Sequence, residues 1–219
     1  SASEYIISNV KGNKLSFTVP DVPQICKVKA IGNDYIENQI YTPHITVNSI
    51  NIFATEQVEA NTLGAFFDQL EEILKTNSAF ASLNLNVHRI GTTIRVWSNT
   101  DQITLNTALW ISNSTDIEFT IQAPQVSQQV IGWDNIGDDI YLLTTNDSSQ
   151  IGGYGTFWKV TYSDVTFVPT IELKYSEFLN FTTQHIIANP GGIETILENS
   201  QTSRICWTDR LNPLRTINI

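Results

Sequence analysis

The second half of the chain contains the run Asp139-Ile140-Tyr141-Leu142-Leu143-Thr144-Thr145, whose apolar and β-branched residues are typical of a strand. Similar runs occupy residues 130–133, 155–162 and 170–175, and clusters of Asn, Ser, Gly and Asp separate them. Four short strands at this even spacing predict one antiparallel sheet or a propeller-like blade.

Outward from these strands, the pattern divides the chain into three segments. Residues 1–45 read as an N-terminal β segment with short strands near 4–8, 14–19 and 25–31. Residues 46–122 read as a small α+β module, and residues 123–219 as the propeller-like β segment, which we expect to be incomplete without further chain. The predicted fold class is therefore mainly β, with antiparallel sheets, a propeller-like blade and one small α+β module carrying a single amphipathic helix.

The helix is predicted from apolar residues that recur at intervals of three and four, namely Leu63, Phe66, Phe67, Leu70, Ile73 and Leu74. Asn61 or Thr62 can cap its start, and Asn77-Ser78 is a plausible stop. Alternating runs at 45–52 and 83–87 flank it, and a further run follows Gly91. The order strand, helix, hairpin results, with the helix covering one face of a small sheet.

Composition limits the classes of function. The chain has 219 residues, of which 41% are hydrophobic, which is enough for a substantial core. Its formal net charge of −10 disfavours a nucleic-acid reader, and no apolar run approaches the roughly 20 residues of a membrane span. The absence of Met fits a processed product, a piece of a longer polypeptide, or simple N-terminal trimming.

Groups with catalytic potential are scattered along the sequence. His44, His88 and His185 lie far apart, and Cys26 and Cys206 each lie in a β-rich run. None of these five residues has the spacing of a zinc site or of a catalytic triad. We therefore predict no catalytic residue, no metal and no cofactor.

Three other features leave alternatives open. The acidic loop at 134–139 could offer oxygens to calcium, but its spacing fails the EF-hand pattern and favours a hairpin turn. Paired carboxylates of a glycoside hydrolase would meet only in three dimensions. The tryptophans could form a sugar-stacking platform, although most are expected in the core: Trp97, Trp110, Trp133, Trp158 and Trp207. A carbohydrate-binding or adhesin-type β module is the second functional hypothesis, and a hydrolase is the third.

The last part of the sequence carries a more specific pattern. It reads Arg204-Ile205-Cys206-Trp207-Thr208-Asp209-Arg210-Leu211-Asn212-Pro213-Leu214-Arg215-Thr216-Ile217-Asn218-Ile219. This resembles the Tyr-Trp-Thr-Asp-Gly, Asn-Pro, Arg, Asn-Ile pattern in the stabilisation proteins of crAss-like and related tailed bacteriophages, which build the tail barrel or muzzle. The resemblance extends over about residues 128–219. Cys206 replaces the usual Tyr, and Arg210 replaces a Gly, so a left-handed turn is less favoured at that position.

The resemblance implies a non-enzymatic structural protein of the virion, located in the tail within the portal-proximal barrel or muzzle. It implies a symmetric homo-oligomeric ring around the DNA channel, with other tail proteins and the remainder of the same or a cleaved polypeptide as partners. Sequence-specific nucleic acid and membrane are not implied partners. An acidic wall would repel passing DNA, which agrees with this function.

The same region predicts a partner interface. Residues 204–209 have the pattern of a strand, but no hairpin partner is recognisable after them, so we expect another polypeptide to supply it. Trp207 would be buried, Asp209 would accept amides of the following turn, and Arg210 or Arg215 would meet carboxylates of the partner. The alternative is that this region folds back on the strands of residues 139–175 and needs no partner.

Overall fold

The structure is a computed structural model that describes residues 4–8, 14–30, 40–56, 58–59, 62–100, 103–105, 117–162, 168–187, 192–199, 202–210 and 212–218. It divides into two compact units. Pro23–Pro124 form one, here called the inserted unit. Ser1–Val22 and Gln125–Ile219 form the other, here called the split unit, because the inserted unit interrupts its sequence.

The first part of the chain contains β1 (Glu4–Ser8), β2 (Lys14–Thr18), β3 (Ile25–Ala30), β4 (Ile40–Tyr41), β5 (His44–Val47), β6 (Ile50–Phe53), β7 (Val58–Glu59), α1 (Leu63–Thr76), α2 (Ser78–Ala81), β8 (Asn86–Ile90), β9 (Thr93–Trp97), β10 (Ile103–Leu105) and β11 (Ile117–Gln122). The remainder contains β12 (Gln129–Ile136), β13 (Asp139–Thr145), β14 (Gly153–Thr161), β15 (Thr170–Phe181), β16 (Ile193–Leu197), β17 (Ser203–Trp207) and β18 (Arg215–Asn218). The protein is mainly β with antiparallel sheets, as predicted.

The predicted amphipathic helix is confirmed as α1. Thr62 caps its start by accepting a hydrogen bond from the Ala65 amide at 3.2 Å. Asn77 ends it, and the Asn77 side chain then accepts from the Ala79 amide at 2.8 Å and so begins α2. The expectation of a single helix is therefore wrong, because one asparagine stops the first helix and caps a second.

The alternating run at 45–52 is a hairpin and not one strand. Asn48 and Ser49 both have positive φ, at 48° and 70°, as a two-residue turn between β5 and β6 requires. Alternation alone did not locate this turn because small polar residues also fit the solvent side of a strand. The hairpin around Gly91, formed by β8 and β9, is confirmed.

In the inserted unit, α1 packs into one core with side chains of two sheets. Phe66, Phe67 and Leu70 are fully buried in this core. The sheet β11-β3-β9-β8 contributes Val28 and Ile94, among others, and the sheet β10-β5-β6 contributes residues such as Ile45 and Ile103. The predicted apolar stripe therefore faces the core of this unit.

The split unit contains the four predicted strands as one antiparallel sheet in the order β12-β13-β14-β15. The described residues show no closed propeller or barrel. A second sheet, in the order β16-β17-β18, packs on the first through a shared apolar cluster. That cluster includes Tyr141, Leu143, Phe157, Phe181, Ile193, Ile205 and Trp207.

The expectation that residues 204–209 lack neighbouring strands is wrong. β17 pairs with β16 on one side and with β18 on the other, both antiparallel. Both neighbours are short, at 5 and 4 residues, and their alternation is too brief to stand out in the sequence. The region therefore folds back within its own unit, as the alternative expected. Contact of this region with another polypeptide stays a prediction.

The bounds of the two units differ from the three sequence segments. β3 lies in the first sequence segment but pairs with β9 and β11 of the inserted unit. Residues before it belong with the split unit, where the Ser127 amide donates to Asp21 and the Val130 amide donates to the Tyr5 hydroxyl. Val22 and Gln125 exchange two backbone hydrogen bonds, of 2.9 and 3.0 Å, where the chain leaves and re-enters this unit.

Neither of the helices that the structure describes is long and apolar enough to cross a bilayer.

Candidate functional site

The turn between β17 and β18 contains most of the residues that carry the phage-protein pattern. It lies against the end of β15, and its side chains form a cluster that we call the polar corner: Asp209, Asn212 and Arg215 from the turn and β18, with Asn180 from β15. Three of the four predicted interface residues, Trp207, Asp209 and Arg215, are engaged inside the chain at or beside this corner.

Asp209 is the centre of the polar corner, with 1% of its surface exposed. Its carboxylate accepts from the Asn212 amide at 2.7 Å and from Asn212 Nδ2 at 2.8 Å. A buried carboxylate that accepts two hydrogen bonds closes the turn and fixes the exit of β17. The predicted capping function of Asp209 is confirmed.

Asn212 and Arg215 connect the turn to β15. Asn212 Nδ2 donates to the Asn180 carbonyl at 3.3 Å, and Arg215 Nη1 donates to the Leu179 carbonyl at 2.8 Å. Arg215 Nη2 donates to Asn212 Oδ1 at 3.0 Å. The guanidinium thus bridges the two sheets of the split unit, which leaves fewer of its donors for another chain.

The end of β15 is shaped to receive these donors. Asn180 has φ of 57°, a left-handed conformation that Asn tolerates better than most residues. Gly152 lies beside it, and a Cβ on Gly152 would come within 2.3 Å of the Asn180 carbonyl oxygen. Only glycine therefore allows the loop before β14 to approach this backbone so closely.

Trp207 lies beneath the polar corner and is 2% exposed. Its ring meets Phe157 with centroids 5.1 Å apart and Phe181 with centroids 5.9 Å apart, both near edge-to-face. The structure therefore buries Trp207 against its own chain.

Arg210 differs from its neighbours because it is exposed. Its φ is 65°, so the left-handed turn is present although Arg replaces the Gly of the phage pattern. Among the residues that the structure describes, Arg210 has no hydrogen bond or ion pair.

Sequence reasoning missed Asn180 and the connection that Asn212 makes to it. These two residues are 32 positions apart. The only sequence signal for their contact is that position 180 is an Asn, a residue that tolerates positive φ. In the sequence, Asn212 stands out only as part of the Asn-Pro pair.

The candidate cysteines and His44 each contact other groups of the chain. Cys26 Sγ donates to the Ile103 carbonyl at 3.4 Å, Cys206 Sγ donates to Thr216 Oγ1 at 3.5 Å, and both cysteines are free thiols. His44 Nδ1 lies 2.8 Å from the Thr42 carbonyl oxygen. Within the described ranges, no three His, Cys, Asp or Glu residues are placed to hold a metal ion.

The acidic loop at 134–139 is engaged in structural contacts. Asp134 Oδ2 accepts from both the amide and the hydroxyl of Thr195, each at 2.8 Å. Asp139 forms an ion pair with Lys159 at 2.7 Å, and this hydrogen bond raises the pKa of Lys159, against a smaller lowering by partial burial. Gly137 has a positive φ of 58° in the turn, as the hairpin interpretation requires.

The inserted unit carries an open cleft of about 390 Å³ along α1, lined by Glu56, Asp68, Gln69, Glu72 and Ile73. Asp68 forms an ion pair with Arg89, and Glu56 accepts from Asn77 Nδ2. Glu72 is exposed and has no side-chain hydrogen bond or ion pair with any described residue.

The tryptophans of the described residues differ in exposure. Trp97, Trp158 and Trp207 are buried, whereas Trp133 is 37% exposed. Trp110 lies outside the described residues.

No family model, curated protein or solved structure matches the chain.

Proposed function

We propose that the chain is a non-enzymatic structural component of a bacteriophage virion. Its place is in the tail, within the portal-proximal barrel or muzzle, where copies assemble symmetrically around the DNA channel. The proposal rests on the sequence pattern at residues 204–219 and on what its residues do in the fold.

The observation that supports it is that the pattern residues act as structural clamps. Asp209, Asn212 and Arg215 link the turn after β17 to the backbone of β15, and Trp207 fills the space beneath them. All four residues contact other parts of this chain. Contacts of this kind are typical of a scaffold, in which they hold two packed sheets in a fixed position relative to each other.

Charge agrees with a wall of a DNA channel. The 22 acidic and 12 basic side chains give a net charge of −10, and a negatively charged wall repels the phosphate backbone. Such repulsion lets DNA pass through the channel, whereas a basic lining would bind the DNA and retain it.

Particle composition tests this proposal. Virions of a phage that encodes the chain are purified on a density gradient, and their peptides are quantified by mass spectrometry against the portal protein. We expect a fixed copy number that is a simple multiple or fraction of the portal's. Antibody-gold labelling of the same particles should mark the tail vertex.

The control is a non-structural protein of the same phage, whose peptides must be absent from the gradient fraction. Absence of the chain from particles that contain the portal would overturn the proposal. Saturable binding of the isolated chain on a glycan array, lost in Trp133→Ala, would instead favour the carbohydrate-binding alternative.

A further inference from the structure

The sheet β11-β3-β9-β8 carries a row of basic side chains on the face that points away from the α1 core. Lys27 lies opposite Arg95 across β3 and β9, and Arg95 lies opposite His88 across β9 and β8. Val28 and Ile94, next to them in sequence, belong to the α1 core, so alternation puts the basic row on the other face. Side chains directly opposite each other have Cβ atoms about 5 Å apart. The three basic groups are therefore immediate neighbours.

Two members of this row are buried cations. Lys27 is 7% exposed and Arg95 is 4% exposed, and no other Lys or Arg whose side chain the structure describes is buried. The guanidinium of an arginine does not lose its proton in proteins. Like charges placed opposite each other in a sheet repel, and a buried charge costs free energy unless an opposite charge compensates it. The row therefore favours a negatively charged group on this face.

An indole donor on the same face is a second, independent observation. Trp97 follows Arg95 by two residues on β9, so both side chains lie on one face, and Trp97 is 4% exposed. Its Nε1 is buried, and no described residue accepts a hydrogen bond from it. Buried donors without an acceptor are rare in native proteins, because the lost hydrogen bond to water is not replaced. An acceptor from a ligand beside Arg95 would satisfy this donor.

We propose that Lys27, His88, Arg95 and Trp97 form a binding site for an oxyanion, the phosphate or carboxylate group of a small ligand. Lys27 and Arg95 neutralise its charge, and the planar guanidinium can hold two of its oxygens. Trp97 Nε1 donates a further hydrogen bond. Lys27, His88 and Arg95 also take part in other interactions, to which the anion adds. The site lies in the inserted unit and does not depend on the proposed virion function.

The test is a titration of the full chain with inorganic phosphate and, separately, with acetate, each compared with chloride at equal ionic strength. The readout is the indole N–H signal of Trp97 in nitrogen–proton NMR spectra, identified by its loss in Trp97→Phe. We expect this signal to shift saturably, and Tm to rise by about 3 °C or more near saturation. A response to phosphate supports a phosphate ligand, and a response to acetate supports a carboxylate ligand.

Two variants weaken the site in different ways. Lys27→Met removes one cation and keeps a long aliphatic chain, and it should weaken anion binding by about tenfold or more. Trp97→Phe keeps an aromatic ring and removes only the N–H donor. It should weaken binding by about threefold to tenfold, measured by the rise in Tm, and it keeps the test open if Lys27→Met does not fold. Lys75→Gln is the matched control, because Lys75 is an exposed cation of the same unit that pairs with Glu71, and it should bind like the wild type.

Flat titrations with both anions would overturn the proposal. They are also the result expected if a carboxylate of the chain itself already neutralises the row. An equal response to chloride would overturn it as well, since only general screening would then be at work. So would variants at Lys27 and Trp97 that bind as tightly as the wild type. None of these results bears on the presence of the chain in virions, so the proposed function stands or falls separately.

Discussion

The carboxylate of Asp209 satisfies two donors at a place where water does not reach. In Asp209→Ala, the Asn212 amide and Nδ2 lose their acceptor while they stay near the buried corner. We expect the free energy of unfolding to fall by about 1–3 kcal/mol, measured by urea titration. The control Asp138→Ala removes an exposed carboxylate from a hairpin turn and should stay within about 0.5 kcal/mol of the wild type. An equal effect of both substitutions would contradict the capping function.

Gly155 is a glycine because a ring occupies the space of its missing side chain. A Cβ there would lie 2.3 Å from Cδ2 of Phe181, which is fully buried and has no room to withdraw. Gly155→Ala should therefore lower the free energy of unfolding by about 1–3 kcal/mol in urea titration. In Gly64→Ala, no atom lies within 4 Å of the added Cβ, and the alanine should be neutral or stabilising. A neutral Gly155→Ala would show that Phe181 moves more freely than its burial implies.

Lys159 predicts a dependence of stability on alkaline pH. Its hydrogen bond to Asp139 raises its pKa above the ordinary 10.5, so the folded state holds this proton more tightly than the unfolded state. The added stability is fully present below about pH 10.5 and is lost as pH rises through the folded pKa. The wild type should exceed Lys159→Met by up to about 1 kcal/mol at neutral pH.

Urea titrations of both proteins from pH 8 upward measure this difference. It should shrink above about pH 10.5. A difference that stays constant across the range would show that Lys159 contributes through packing of its aliphatic chain and not through the ion pair.

At the scale of the elements, the pairing of β17 within its own chain can be tested by hydrogen exchange. As the central strand of three, it has neighbours for the backbone groups on both of its edges, whereas β18 is paired on one side only by the described residues. In a dilute monomer, NMR-resolved hydrogen exchange should show all amides of β17 protected, and only alternate amides of β18. Fast exchange of Ile205 that slows only at high protein concentration would mean that another chain supplies the pairing.

The elements also show how far the sequence can be interpreted. α1, its cap at Thr62 and the strand β13 depend on neighbours within one or two turns of the chain, and local periodicity predicts them. The position of β3 beside β9, and of Asn180 beside Asn212, depends on contacts between distant residues. Periodicity carries no record of such contacts, so the turn chemistry of Asp209 was predictable and its attachment to β15 was not.

At the scale of the whole molecule, the chain leaves the split unit after Val22 and re-enters it at Gln125. Val22 and Gln125 hold each other by two backbone hydrogen bonds, so both ends of the insertion are adjacent. Replacing residues 23–124 by a short Gly-Asn turn should therefore leave the split unit folded, with its β17 amides still protected. Loss of cooperative unfolding in this deletion variant would show that the split unit depends on the inserted one.

The pairing of Val22 with Gln125 also leads us to expect an order of folding events during synthesis. The ribosome releases the first 22 residues long before β12–β15 exist, while the inserted unit that follows them emerges as one continuous piece with its own apolar core. We expect this piece to fold first. Once this piece is compact, the two segments that flank it in sequence start close together. The entropy cost of closing a loop of about a hundred residues has then been offset by folding of the inserted unit, before Gln125 pairs with Val22. We therefore expect the inserted unit to aid the folding of the two segments that flank it.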